Sequence, residues 1–287
     1  PHKFAGMLDS RSDNFPRCLP SWLPMQKFYI LIGLLLGAAQ ALAHAPPAAP
    51  ALYITTESSA RASTLSGGKV SGSGTDKVRE IMARSRIAYH IDLFPWKRAY
   101  TSALERANGC VYSASRTPER EHLFHWIGPL GEAEWVMLAR ADRGYQFKTL
   151  EDARGLRIGT YHGDARENYL RARGFQVDSA NSDQANPRKL LLKRIDLWAG
   201  SLSSANFIIE QNGWSGAIVP VLSFNKVQLY LACNKGVDDK QVARMNAALE
   251  AMERDGTSRR IERKYARVVK AGPAPRRAED RARSPTR

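Results

Sequence analysis

Cysteines, clustered histidines and acidic residues are all in short supply in this 287-residue chain, and each shortage removes a class of function. Of the three cysteines, Cys18, Cys110 and Cys233, none forms a Cys-x-x-Cys pair or sits among histidines. Neither a metal site nor a catalytic thiol is indicated. The glycine- and serine-rich run from Gly67 to Gly74 lacks the Gly-Lys-Ser/Thr that completes a phosphate loop, so it reads as a turn or lid. No Ser/His/Asp order stands out, and no catalytic residue or cofactor is expected. Acidic residues number 28 against 43 basic ones, a formal net charge of +15. The basic residues are dispersed rather than interleaved with aromatics, which argues against a nucleic-acid partner.

Long apolar runs are missing too, and the one that is present is short. Residues 1–24 show no periodic pattern and read as a non-structural extension. From Met25, a single Lys27, an apolar core from Phe28 to Leu36 and Ala41-Leu42-Ala43 make the three parts of a secretory signal peptide over 25–43. The alternative, a membrane anchor, needs roughly 20 apolar residues. Export would leave Cys110 and Cys233 as the cysteines of the mature chain, free to pair in an oxidising periplasm, whereas a cytosolic setting would leave them as buried thiols. At the other end, residues 269–287 carry six basic and two acidic residues with Pro and Ala, the composition of a disordered tail.

Between these ends the pattern alternates. Leu52 to Thr56 reads as a strand, Thr75 to Arg86 as a helix and Ala88 to Phe94 as a strand. Trp96 to Asn108 reads as a helix and Cys110 to Ala114 as a strand. Such alternation predicts an α/β fold with a mostly parallel sheet and covering helices. A second series follows, with strands at Leu156 to Thr160, Phe175 to Val177, Ile195 to Ala199 and Ala217 to Val221. Its helices begin near Asp164, at Asn186-Pro187 and at Ser203 or Ser204. Glu134 to Ala139 and Lys226 to Cys233 read as further strands, and an amphipathic helix carries Val242, Met245, Leu249 and Met252 on one face.

Ligands in such sheets gather beyond the carboxyl ends of the strands. Ser113 and Ser115 lie at one such end, and Thr117-Pro118 reads as the cap of a helix that carries Arg120 in its first turn. Hydroxyls, guanidinium groups and free backbone N–H groups gathered there suit a small anion. The alternative for Arg120 is a surface pair with Glu119 or Glu121.

In order and spacing these motifs resemble the bacterial extracytoplasmic solute-binding proteins of family 3, the group that includes polar amino-acid binders of ABC importers. The resemblance runs from about Leu52 to Ala266. It rests on Ser-x-Ser-x-Thr-x-x-Arg from Ser113 to Arg120 with Phe124 and Gly128-Pro129, on Gly163-x-x-x-Glu167-x-Tyr169, and on Ala248-Leu249-x-x-Met252 before Asp255-Gly256-Thr257. Pro95-Trp96-x-Arg98-Ala99-Tyr100 resembles a subgroup without an assigned ligand.

The resemblance implies a two-lobed type II periplasmic-binding fold with two hinge crossovers, closing on its ligand like a flytrap. Lobe one would hold residues 50–140 and 227–268, and lobe two 141–226. It implies a monomer in the periplasm that hands a small molecule to an ABC permease of the inner membrane. The same topology would set the strands of Cys110 and Cys233 side by side, making a disulfide between them a specific expectation. Arg120 matches the arginine that grips a carboxylate, with Ser113 and Ser115 as neighbours, and Glu57 falls where the family often places a first-lobe acid near an ammonium group. Two positions depart from the pattern. Ser201 stands where the ammonium-binding aspartate is usual, and Asp164 stands where a hydroxyl usually meets the carboxylate. Tyr161 and Trp198, at strand ends of lobe two, are candidate aromatic walls. Two alternatives are a hydro-lyase on the same fold, with Glu57 or Asp164 as its acid, and an orphan ligand-sensing protein.

Overall fold

The computed structural model describes residues 50–59 and 62–270, with side chains through residue 266. The expected extension, signal segment and residues beyond 270 lie outside this range. Strand β1 (Leu52–Thr56) leads to a small hairpin, β2 (Thr64–Ser66) and β3 (Lys69–Ser71), which turns at Gly67-Gly68. Helix α1 (Ser73–Ser85), β4 (Tyr89–Leu93), α2 (Trp96–Glu105) and β5 (Gly109–Ser115) follow, and β1 pairs in parallel with both β4 and β5. The helices sit where their apolar stripes require: Val78, Ile81 and Met82 of α1 and Ala99 and Ala103 of α2 are buried.

The chain then crosses into a second lobe along β6 (Phe124–Arg140). That lobe contains β7 (Ile158–Tyr161), α3 (Ala165–Arg171), β8 (Val177–Ala180), α4 (Ala185–Leu191), β9 (Leu197–Ser201) and α5 (Leu202–Gln211). Strand β10 (Ile218–Asn234) returns antiparallel to β6, and α6 (Asp239–Arg254) and α7 (Thr257–Lys270) complete lobe one. The eight strands form one sheet in the order β4-β1-β5-β10-β6-β9-β7-β8. The two central strands are therefore the bridges between the lobes. Along β6, Val136 and Leu138 join one core and Met137 and Ala139 the other, the period-two signature of a strand buried on both faces. Among the described residues no helix is long and apolar enough to cross a membrane.

Several local expectations are corrected. The separate strands expected at Glu134 to Ala139, Ala217 to Val221 and Lys226 to Cys233 are parts of two 17-residue strands. Gly128-Pro129 and Pro220 look like strand breakers, but they fall in an irregular antiparallel pair whose register shifts near Pro220 and again near Tyr230. A side chain at Gly128 would collide with the ring of Tyr230, its Cβ lying 2.8 Å from Cγ, so the close crossing of β6 and β10 needs a glycine there. The segment after Thr117 is a short 3-10 turn, Pro118–Leu123, instead of an α-helix, and Thr117 makes no side-chain cap. Strand β8 starts at Val177, since Phe175 points into the core just after Gly174. Helix α4 ends at Leu191, before Lys193, and α5 follows Ser201 directly with neither Ser203 nor Ser204 as its cap. Helix α7 runs two residues into the segment expected as tail.

Cys110 and Cys233 stand opposite each other on β5 and β10 and form a disulfide, with Cα atoms 4.0 Å apart.

Candidate functional site

A cavity of about 880 Å³ opens between the lobes at the carboxyl ends of β1, β5, β7 and β9. Glu57, Ser113, Ser115 and Arg120 line it from lobe one, and Tyr161, Asp164 and Ser201 line it from lobe two. Strand β5 delivers its part through a bulge. Ser113 has φ of 60°, a left-handed value that a serine adopts only when its surroundings enforce it. The bulge shifts the alternation, so that Val111 and Ala114, an odd number of residues apart, pack in the same cluster.

Arg120 is 4% exposed, buried in the cleft rather than paired on the surface. Its Nη2 donates to the Gly163 carbonyl at 2.8 Å and its guanidinium lies 4.7 Å from the Tyr100 ring centre. Its Nη1 is buried without an acceptor. Glu121 is taken instead by Arg116, at 2.7 Å from Nε. Trp96 Nε1 donates to the same Gly163 carbonyl at 2.8 Å, so two lobe-one donors clasp one lobe-two oxygen. Trp96 is buried and also lines the cavity.

The acids of the cleft differ in state. Asp164 caps α3, accepting from the Arg166 backbone N–H at 2.8 Å, and receives Arg166 Nε at 2.7 Å and Nη2 at 3.1 Å. Burial pushes the Asp164 carboxyl up, but the Arg166 charge and hydrogen bonds prevail and hold it below the usual range. Asp164 thus caps the helix that the sequence starts near it, and Arg166, two residues on, neutralises its charge. Glu57 accepts a 2.7 Å bond from Tyr161 Oη across the cleft. Enclosure of its carboxyl, reinforced by the nearby Asp164 and Asp183, outweighs that bond and raises it to about 8. Asp183, another cavity-lining acid, is also raised by burial, against bonds from Trp198 Nε1 at 2.7 Å and Asn186 Nδ2 at 3.2 Å.

The aromatic wall expected at Trp198 is corrected. Trp198 is fully buried in the core of lobe two and contributes no wall; its indole instead positions Asp183. A tryptophan on a strand covered on both faces goes inward because that buries the most apolar area. Trp126 packs edge-on against Phe124 and Tyr230 outside the cavity. Ser201 stands just before α5, with its Oγ 3.4 Å from that of Ser203. Sequence reasoning missed Arg166 and Asp183. The first had a signal, an acid and an arginine two apart at a helix start; the second lies in a loop that only folding brings to the cleft. Among the described residues no group of His, Cys, Asp or Glu could hold a metal ion.

Glu57 gives a pH-dependent prediction. Between its unfolded value near 4.5 and its folded value of about 8, the native protein holds a proton that the unfolded chain has released. This group's contribution is therefore complete at low pH and is lost as pH rises through about 8. Glu57→Gln removes the decline: its urea midpoint should exceed the parent's at about pH 8.5 and converge with it near pH 4.5. A variant that follows the parent at both pH values would refute a raised Glu57.

Two α/β lobes joined by paired long strands, with a polar cleft between them, define a type II periplasmic-binding fold. The chain belongs to the bacterial extracellular solute-binding proteins, family 3, whose model it matches over residues 53–268. Solved structures agree on the fold. A histidine kinase sensor domain with similarity to periplasmic binding proteins aligns with TM-score 0.70 and 18% identity, over 77% of this chain and 97% of that one. The arginine-, lysine-, histidine-binding protein ArtJ from Geobacillus stearothermophilus gives 0.65 and 18%, over 75% and 95%. The GluR0 ligand-binding core from Nostoc punctiforme, in complex with L-glutamate, gives 0.64 and 18%, over 75% and 98%. No curated protein matches the chain.

Proposed function

We propose that this protein binds a small, polar, carboxylate-bearing solute, an amino acid or a related acid, in the periplasm and delivers it to an ABC import permease. The observation that carries this reading is Arg120: a buried guanidinium in the interlobe cavity, fixed by Gly163 and Tyr100, with Nη1 lacking an acceptor. A planar fork of donors is the group best suited to a carboxylate, and a buried charged donor needs an acceptor. The amino-acid ligands named for two of the similar structures support the same class. Lobe one comprises residues 50–140 and 227–268 and lobe two 141–226, with the hinge in β6 and β10. A solute touching both lobes stabilises the closed state by population shift. The protein acts as a monomer, exported by its segment 25–43.

A second reading, a hydro-lyase, is favoured by one observation: Glu57 holds its proton near neutral pH, as a general acid must. Both readings meet the same experiment. Mass spectrometry of natively isolated protein identifies the co-purifying acid, and adding that acid back should raise the melting temperature at one equivalent per chain without forming product. Turnover selects the hydro-lyase, and a co-purifying solute without a carboxylate ends the carboxylate reading.

A further inference from the structure

Arg120 is not alone in the cleft. Nη1 of Arg166 is likewise buried without an acceptor, and the two arginines line the same cavity from opposite lobes. Their remaining nitrogens fix the two planes. Arg120 is held by the Gly163 carbonyl, and Arg166 by both oxygens of Asp164, with Tyr161 Oη 3.4 Å from its Nη2. The other acids nearby are engaged: Glu57 accepts from Tyr161, and Asp183 accepts from Trp198 and Asn186. Buried donors in folded proteins are almost always satisfied, and a charged one left bare is strongly unfavourable. Both residues line the cavity, so a bound solute, met by a small rotation of each guanidinium, would supply the missing acceptors.

We propose that Arg166 is a second ligand-contacting arginine, and that the solute carries, besides the carboxylate met by Arg120, a second oxygen function received by Arg166 from lobe two. The assignment rests on the reading of the cleft as a carboxylate site. The ligand class is a short acid with a carbonyl, amide or further carboxylate oxygen. A purely aliphatic acid leaves Arg166 unsatisfied when the lobes close. Arg166 would thus set specificity, since a site built to bond an oxygen rejects the analogue that lacks it.

Calorimetric titration with five-carbon acids tests this. The probes 2-oxoglutarate, L-glutamate and L-glutamine carry the second oxygen; L-norvaline and valerate lack it. At least one of the first three should bind about 10- to 100-fold more tightly than its oxygen-free counterpart, the range of one charge-assisted hydrogen bond. Arg166→Lys keeps a cation beside Asp164 but removes Nη1, and the ratio should fall to near one. If that variant unfolds, Asp164→Asn with Arg166→Gln replaces the ion pair by a neutral one and serves the same comparison. An unchanged ratio in a folded variant, equal binding of norvaline or valerate by the parent, or tighter binding of L-lysine than of every oxygen-bearing acid overturns the role of Arg166 and leaves the carboxylate reading standing. No binding of any carboxylate overturns both.

Discussion

Arg120→Ala is expected to weaken binding of the identified solute by roughly 30-fold to several thousand-fold, the equivalent of about 2–5 kcal/mol for truncating one partner of a buried charged contact. Two effects combine. The variant loses the donor left for the ligand, and it loses the bond from Nη2 to the Gly163 carbonyl, one of the two lobe-one bonds to that oxygen. Arg120→Lys should recover little, because an ammonium group cannot serve a carbonyl and a carboxylate from one rigid plane. Titration calorimetry measures the affinity, and a urea midpoint close to the parent's shows that the variant is folded. A folded Arg120→Ala protein with parental affinity would remove the foundation of the proposed site.

The largest effect on stability is expected from the disulfide. Cys110 and Cys233 are 123 positions apart, so the bond closes a loop that contains the whole second lobe. The loop-entropy relation assigns about 5 kcal/mol to a closure of that length, and removal of native disulfides typically costs about 2–5 kcal/mol. The Cys110→Ala, Cys233→Ala double variant should therefore unfold at a clearly lower urea concentration, and reduced parent protein should behave alike. Thiol counting in unfolded protein provides the check: reductant should expose two additional thiols, and equal counts with and without reductant would sink the prediction.

The alternating half of the fold was legible from the chain. Leu52 to Thr56 and Trp96 onward declare their structure through local periodicity, which depends on near neighbours alone. The long bridging strands were legible only in pieces, at Glu134 to Ala139, Ala217 to Val221 and Lys226 to Cys233. Gly128-Pro129 and Gly131 argue locally against a strand, and only the pairing of β6 with β10 joins the pieces into two continuous strands. The same division runs through the site. Ser113, Ser115 and Arg120 share one short stretch, and their chemistry could be read together. Asp183 and Arg166 acquire theirs from partners: Trp198 and Asn186 for the first, and for the second a pairing with Asp164 in a cavity shared with Arg120.

By itself, then, the sequence determined the fold class and the family, because both are encoded in local pattern and residue type. Tertiary structure alone decided the charge balance of the cleft. It pairs Asp164 with Arg166 and encloses Glu57 against Tyr161, and it withdraws Trp198 into the core. Charge state and exposure depend on what lies across the cleft, and that is set by packing between segments distant in sequence, such as Glu57 and Tyr161, 104 positions apart.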